Sequence, residues 1–290
     1  MHVAANGLSF HVLLAGPEDG PPVVLLHGFP EFSYGWRHQV DALANAGFRV
    51  IVPDQRGYGQ TSKPEGTTAY VIDRLADDVL EIAAVLGHPR FSVVGHDWGG
   101  IVAWHLASRN PHEIRAAAIL NAPHPATFAS YAFRHPLQLL RSMYVGFFQV
   151  PWLAEAALRA NDFAALAMAL TGTSKAGTFG DADLARYREA WRQPGALTAM
   201  LNWYRALPLS RTEHARVRCP AKVIWGDADT ALGKGMAEAA LKFCDRGEVV
   251  HLPDATHWLH HEQPERINTL LVAFLQRSWQ GVRQADGARS

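Results

Sequence analysis

The chain has 290 residues, with 27 basic and 27 acidic side chains, so its formal net charge is zero. This charge balance gives no reason to expect nucleic acid or an acidic surface as a partner. No run of about 18 apolar residues is present to span a bilayer, and no signal peptide opens the chain. Its two cysteines are too few for a disulfide framework. We therefore expect a cytoplasmic protein. Because 290 residues is near the upper end for one hydrophobic core, we also expect one core domain and an inserted subdomain.

Short apolar runs alternate with helical patterns along most of the chain. Residues 2–5 and 8–14 flank an Asn6-Gly7 turn, which predicts a β-hairpin. Six further runs lack polar alternation, as is typical of strands covered on both faces. These runs are residues 22–27, 48–53, 91–94, 116–121, 221–225 and 248–252. Apolar stripes of helical period begin at Ile72 and after Pro264. The alternation predicts an α/β fold whose mostly parallel sheet is flanked by helices.

Residues 125–215 interrupt this alternation. They contain no convincing strand, many alanines and a large share of the aromatic residues. We predict a helical cap, inserted between two core strands and covering the strand ends. The core domain would then comprise residues 1–124 and 216–290. The sequence does not indicate the oligomeric state.

Gly95-His96-Asp97-Trp98-Gly99-Gly100 is the most informative motif of the chain. It follows a predicted strand and opens a predicted helix, as a nucleophile elbow does. Glycines on either side of the apex give its strained backbone the room that it needs. The apex residue is Asp97, which points out at the carboxyl end of the sheet, where open α/β proteins bind ligands. The alternative interpretation is that Asp97 only caps the helix.

An aspartate at the apex favours a particular chemistry. A serine that attacked a saturated carbon would form an ether, which the enzyme could not hydrolyse. An aspartate forms an alkyl ester instead, and water can attack the carboxyl carbon of that ester. Asp97 therefore favours displacement at an sp³ carbon, either an epoxide ring carbon or a carbon that bears halide.

The chain resembles the epoxide hydrolases of the α/β-hydrolase fold over essentially its whole length. His27-Gly28-Phe29-Pro30-Glu31 resembles the oxyanion loop of that family. The motif at residues 95–100 is shared with haloalkane dehalogenases, so it does not identify the substrate. Residues 144–151 and 202–205 resemble the two cap segments that each carry an epoxide-binding tyrosine. The resemblance implies that the hydroxyls of Tyr144 and Tyr204 donate hydrogen bonds to the epoxide oxygen.

The remaining catalytic groups follow from chain order, because α/β-hydrolases run nucleophile, acid, histidine. Gly226-Asp227-Ala228-Asp229 resembles the acid turn of the family, which makes Asp229 the expected relay acid and Asp227 its competitor. His257 follows the last predicted strand and precedes the last helix, the place of the general base. The backbone N–H groups of Phe29 and Trp98 are the expected oxyanion hole.

These roles imply an epoxide hydrolase that forms vicinal diols through an aspartyl alkyl ester, which His257-activated water then hydrolyses. An apolar small-molecule epoxide and water are the expected substrates, with no nucleic acid and no membrane span. We expect no cofactor, because no phosphate-binding glycine motif is present. His260, His261 and Glu262 do not match a zinc spacing, so we expect no metal.

Two alternatives stay open at this point. A haloalkane or haloacid dehalogenase would use the same Asp97 ester, with the indole N–H groups of Trp98 and Trp152 as halide donors. A non-catalytic, ligand-binding relative is the other alternative. The two cap tyrosines favour the epoxide, and the complete set of Asp97, Asp229 and His257 argues against a protein without activity.

Overall fold

The computed structural model describes residues 1–210 and 216–287 of the chain. Its eight strands form one sheet in the order β1-β2-β4-β3-β5-β6-β7-β8. The strands are β1 (His2–Ala5), β2 (Leu8–Ala15), β3 (Pro22–Leu26), β4 (Arg49–Pro53), β5 (Phe91–His96), β6 (Ile114–Leu120), β7 (Val217–Gly226) and β8 (Cys244–Leu252). The pairs β1·β2 and β2·β4 are antiparallel, and the other pairs are parallel. The predicted fold class is confirmed.

The described residues also contain α-helices, most of which lie between successive strands along the chain. They are α1 (Arg37–Asn45), α2 (Ile72–Val85), α3 (Trp98–Arg109), α4 (Pro125–Arg134), α5 (Pro136–Arg141), α6 (Met143–Phe148), α7 (Leu153–Thr171), α8 (Asp181–Arg192), α9 (Ala196–Arg205), α10 (Gly235–Leu241), α11 (Leu259–Glu262) and α12 (Pro264–Gly287). Positive φ angles at Asn161, Asp162 and Phe163 break α7 into two parts. Within these ranges, no helix has both the length and the hydropathy that crossing a membrane requires.

The hydrophobic core lies on both faces of the sheet, because alternate residues of a strand point to opposite faces. On β3, Val24 and Leu26 pack with α2 and α3, whereas Val23 and Leu25 pack with α1 and α12. All five residues of β3 are buried. Its uninterrupted apolar sequence is the consequence of cover on both faces.

Most predicted elements match the structure within a few residues, but three begin earlier than predicted. Polar residues such as Arg218 and Asp245 stand in the first halves of β7 and β8, where they hide the apolar pattern. The helix predicted after the elbow includes the last residues of the motif itself and begins at Trp98.

Six helices, α4 to α9, lie between β6 and β7, in the range where a cap was predicted. The predicted cap range 125–215 includes residues 211–215, and the predicted core range 216–290 includes residues 288–290. Both of these short stretches lie outside the described residues. The division into core and cap stays a prediction.

Candidate active site

Asp97 occupies the turn between β5 and α3, at φ 51° and ψ −121°. Two glycines make room for this turn. A Cβ on Gly95 would lie 2.2 Å from the carbonyl oxygen of Gly99, and one on Gly28 would lie 2.4 Å from the Cβ of Asp97. The Asp97 side chain makes no capping hydrogen bond to α3. Asp97 therefore stands at the N-cap position of α3, but its side chain does not cap the helix.

The two oxygens of the Asp97 carboxylate have different partners. Oδ1 accepts a hydrogen bond of 2.8 Å from the backbone amide of Phe29. Oδ2 lies 3.6 Å from Nε2 of His257. Burial by itself raises the pKa of Asp97, but His257, His96 and the Phe29 amide together outweigh burial and lower it. Asp97 is therefore a charged, partly desolvated carboxylate.

His257 is held from its other side by Asp229. Its Nδ1 lies 2.7 Å from Oδ2 of Asp229. Burial lowers the pKa of His257, but Asp229 and then Asp97 outweigh burial and raise it to about 10. The competitor, Asp227, pairs instead with His251. Between the two candidates, the structure brings Asp229 to the histidine.

Besides His257, three hydrogen-bond donors contact the Asp229 carboxylate. The amides of Ala231 and Leu232 donate to Oδ1 at 2.7 and 2.9 Å. The side-chain amide of Asn121 donates to Oδ2 at 2.6 Å, and its own oxygen accepts from the Gly226 amide at 2.7 Å. Burial raises the pKa of Asp229, but His257 and these donors lower it overall. Sequence analysis missed Asn121, although a polar residue directly after a buried strand is a signal for such a role.

Tyr144 and Tyr204 lie side by side above Asp97. Their ring centroids are 5.9 Å apart at 78°, and both rings line the same cavity as Asp97. Tyr204 packs edge to face on Phe29 and Trp98. Burial, together with the charge of Asp97, raises the pKa of both tyrosines above the ordinary value, so both hydroxyls are donors at neutral pH.

The two backbone amides predicted to form the oxyanion hole differ in their contact with the Asp97 carboxylate. The Phe29 amide contacts the Asp97 carboxylate directly. The Trp98 amide opens the first turn of α3, and among the described residues it makes no hydrogen bond to that carboxylate. The Trp98 ring lines the cavity.

The cavity in front of Asp97 has a volume of about 310 Å³. Its walls combine residues of α4 to α9 with residues of the elements around the sheet, and most of them are apolar. They include Ile72, Leu75, Ile101, Phe128, Val145, Leu207 and Leu232. In the described part of the chain, Asp97 is the one charged side chain that lines it. Trp152, the second indole considered as a halide donor, is 86% exposed and does not line this cavity.

A buried polar network lies behind the site and was missed by sequence analysis. Oε1 of Glu31 accepts from the Tyr187 hydroxyl at 2.6 Å and lies 2.8 Å from Nε2 of His261. Oε2 lies 3.4 Å from His260 and 3.6 Å from His96. Burial raises the pKa of Glu31, but the three histidines lower it well below the ordinary value. The network joins Glu31, in the predicted oxyanion loop, to His96, the residue before Asp97. It also joins Glu31 to His260 and His261, which follow His257.

Comparisons with known proteins identify the family and the fold of the chain. A family profile described as "alpha/beta hydrolase fold" matches residues 21–264. The AB hydrolase superfamily protein YfhM of Bacillus subtilis is 44% identical over 94% of this chain and 96% of its own length. Human epoxide hydrolase 4 is 37% identical over 95% of this chain and 78% of its own. A Bacillus megaterium epoxide hydrolase, crystallised with an inhibitor, superposes with a TM-score of 0.88 at 28% identity, over 95% of this chain and all of that one.

Proposed function

The chain belongs to the α/β-hydrolase family, in the branch of the epoxide hydrolases, and we propose that it hydrolyses epoxides to vicinal diols through an alkyl ester on Asp97. One observation carries the proposal. The Asp97 carboxylate lies in an apolar cavity with two tyrosines on one side and the His257–Asp229 pair on the other. This arrangement supplies a nucleophile, acids for the leaving oxygen and a base for water.

In the first step, Oδ2 of Asp97 attacks a ring carbon of the epoxide. Oδ2 is the nucleophilic atom because the Phe29 amide already engages Oδ1. The C–O bond of the ring breaks, and Tyr144 or Tyr204 gives a proton to the oxygen that leaves. A phenol suits this role, because it is protonated at neutral pH yet far more acidic than an alcohol.

Alkylation itself makes His257 a base. The charge of Asp97 is one of the two carboxylate charges that raise the pKa of His257, and ester formation removes that charge. The imidazolium of His257 can then give its proton to the tyrosinate, which restores the tyrosine hydroxyl. The second step begins with His257 neutral and still oriented by Asp229.

In the second step, His257 takes a proton from water, and the resulting hydroxide attacks the carboxyl carbon of Asp97. Oδ1 becomes the oxyanion of the tetrahedral intermediate. The Phe29 amide already binds this atom, and the Trp98 amide joins it as the charge develops. The bond between the carboxyl carbon and the alkoxy oxygen then breaks, and the alkoxide takes the proton of the newly added hydroxyl and leaves as the diol. Asp97 is again a carboxylate and His257 is again protonated, and no cofactor takes part.

We propose that residues 125–215 act as a cap, which brings Tyr144 and Tyr204 to the core. Three hydrogen bonds support this proposal by fixing cap helices to core loops. The Trp191 indole donates to the Pro30 carbonyl at 2.6 Å, the Trp203 indole donates to the Arg56 carbonyl at 3.0 Å, and Tyr187 contacts Glu31.

The walls of the cavity support an apolar substrate, because they offer no cation to a substrate carboxylate in the described ranges. This weighs against haloacids. We also propose a cytoplasmic location, which the two buried, free cysteines support.

A substrate panel tests the function. Aryl and alkyl epoxides are assayed beside 1-haloalkanes for diol and for halide release. We expect diol from epoxides and no halide. Halide release without diol would favour a dehalogenase, and turnover of neither class would favour a ligand-binding protein.

A further inference from the structure

An exposed apolar surface lies on the cap, outside the catalytic groups. Its members follow one another along α4, α5, α6 and the turn after α6. They are Phe133, Leu137, Leu140, Met143, Phe147 and Trp152, and we call them the apolar cap patch. Phe133, Leu137 and Trp152 are 87%, 70% and 86% exposed. Large apolar side chains that cluster on a surface mark sites of interaction with proteins or membranes.

The orientation of α5 shows why the leucines point outward. Gln138 is buried, and its side-chain amide donates to the Ala231 carbonyl at 2.7 Å and accepts from the Gly233 amide at 3.0 Å. These bonds fix one face of α5 to the core. The neighbouring Leu137 and Leu140 consequently lie on the exposed side.

The chain segment that carries the patch contains basic side chains and no acidic ones. Arg134 and Arg141 are exposed within it, and the sequence contains no Asp or Glu between Glu113 and Glu155. In residues 1–210 and 216–287, neither arginine pairs with a carboxylate. The zero net charge of the whole chain therefore hides a local excess of positive charge.

The patch and the wall of the cavity share two helices, α4 and α6. Phe128 and Ala129 of α4 and Tyr144 and Val145 of α6 line the cavity, and the same helices carry Phe133 and Met143 on their exposed sides. A molecule that covers the patch therefore contacts the helices that line the cavity in front of Asp97.

We propose that the apolar cap patch binds the surface of an anionic phospholipid bilayer and admits lipophilic epoxides from it to the cavity. Apolar side chains that enter the acyl boundary, together with arginines that meet anionic head groups, are the features of interfacial membrane binding. The delivery of substrate rests on the proposed function, whereas the binding of membrane does not.

A second copy of the chain fits the patch less well. A two-fold contact would place Arg134 and Arg141 near their own copies, with no acidic residue of the segment to pair with them. An anionic bilayer complements the arginines and supplies apolar substrate at the same place.

Co-sedimentation with vesicles tests the proposal. Wild-type protein is mixed with vesicles of phosphatidylcholine and phosphatidylglycerol in equal parts, and with phosphatidylcholine alone. We expect binding to the anionic vesicles that weakens with salt. Phe133→Ser with Leu137→Ser should lower the partition coefficient by about tenfold or more per side chain. Arg134→Gln with Arg141→Gln should lower it about fivefold per arginine.

Val85→Ser is the matched control, because Val85 is 53% exposed on α2, outside the patch. It should bind vesicles as the wild type does. All variants should hydrolyse dissolved styrene oxide at the wild-type rate, since none of the changed residues lines the cavity. A failure of the wild type on every epoxide would contradict the proposed function and leave the vesicle result intact.

Absence of wild-type binding to anionic vesicles would overturn the proposal. So would equal binding by the patch variants and the wild type. A wild-type dimer that Phe133→Ser with Leu137→Ser converts to a monomer, with vesicle binding unchanged, would assign the patch to a second copy instead.

Discussion

The backbone amide of Phe29 lies 2.8 Å from Oδ1 of Asp97, so one oxygen of this carboxylate is engaged before any substrate binds. The other oxygen, Oδ2, faces His257 at 3.6 Å. An ester formed at Oδ2 would leave its carbonyl oxygen already in contact with the Phe29 amide. The two steps of the proposed reaction therefore depend on different groups, and variants can separate them.

His257→Gln should be alkylated by an epoxide but should not release the diol, because only the second step needs the base. Intact-protein mass spectrometry should show a gain equal to the mass of one epoxide. His251→Gln is the matched control: His251 pairs with Asp227 and Glu238, away from Asp97, so this variant should turn over without an adduct. Binding of substrate by His257→Gln with no adduct would show that His257 is needed earlier, or is not the base.

Asp229→Asn should lower the turnover number by on the order of 10²- to 10⁴-fold, because the histidine loses the charge that orients it. The loss should fall on hydrolysis of the ester, so the adduct should accumulate. Asp227→Asn, two residues away, loses only its contact with the partly exposed His251 and should stay close to the wild-type rate. The reverse order of the two effects would assign the relay acid to Asp227.

Loss of one tyrosine hydroxyl, in Tyr144→Phe or Tyr204→Phe, should reduce epoxide opening without abolishing it, because the other hydroxyl still polarises the oxygen. The double variant should lose about 10²- to 10⁴-fold in the rate of Asp97 alkylation, measured by rapid quench. Tyr131→Phe, a change on α4 that does not line the cavity, is the control. A double variant that opens epoxides at nearly the wild-type rate would make the tyrosines packing residues and favour the dehalogenase alternative.

The pKa of His257 links the site to folding stability. It is raised from an ordinary value of 6.5 to about 10 in the folded protein. A raised histidine pKa contributes stability that is fully present below pH 6.5 and is lost as the pH rises toward 10. The difference in free energy of unfolding between the wild type and His257→Gln, measured in urea, should therefore shrink over this range. A difference that stays constant or grows over this range would contradict the prediction. His112→Gln is the control, because His112 is exposed.

Local chemistry explains which features could be predicted from sequence. Asn6 and Gly7 both have positive φ, as the hairpin turn requires, and the elbow glycines have no room for a side chain. In each case the residue type and the backbone shape are linked within a few positions. The hairpin, the parallel strands and the placing of Asp97 follow from such links.

The features that were missed depend on contacts between distant parts of the chain. Glu31 and Tyr187 are 156 positions apart, and Asn121 and Asp229 are 108 apart. No local pattern indicates such a pairing, because it exists only once distant helices and strands have packed. The same is true of Trp152, whose residue type suited a halide site but whose side chain lies on the surface.

A single turnover in ¹⁸O-labelled water, with enzyme in excess over epoxide, tests the covalent role of Asp97 most directly. The account predicts unlabelled diol, because the oxygen added to the epoxide comes from Asp97. It also predicts one ¹⁸O atom in the peptide that contains Asp97, since water attacks the carboxyl carbon. Fully labelled diol and an unlabelled peptide in that first turnover would mean that water attacks the epoxide directly, and would contradict the aspartyl ester.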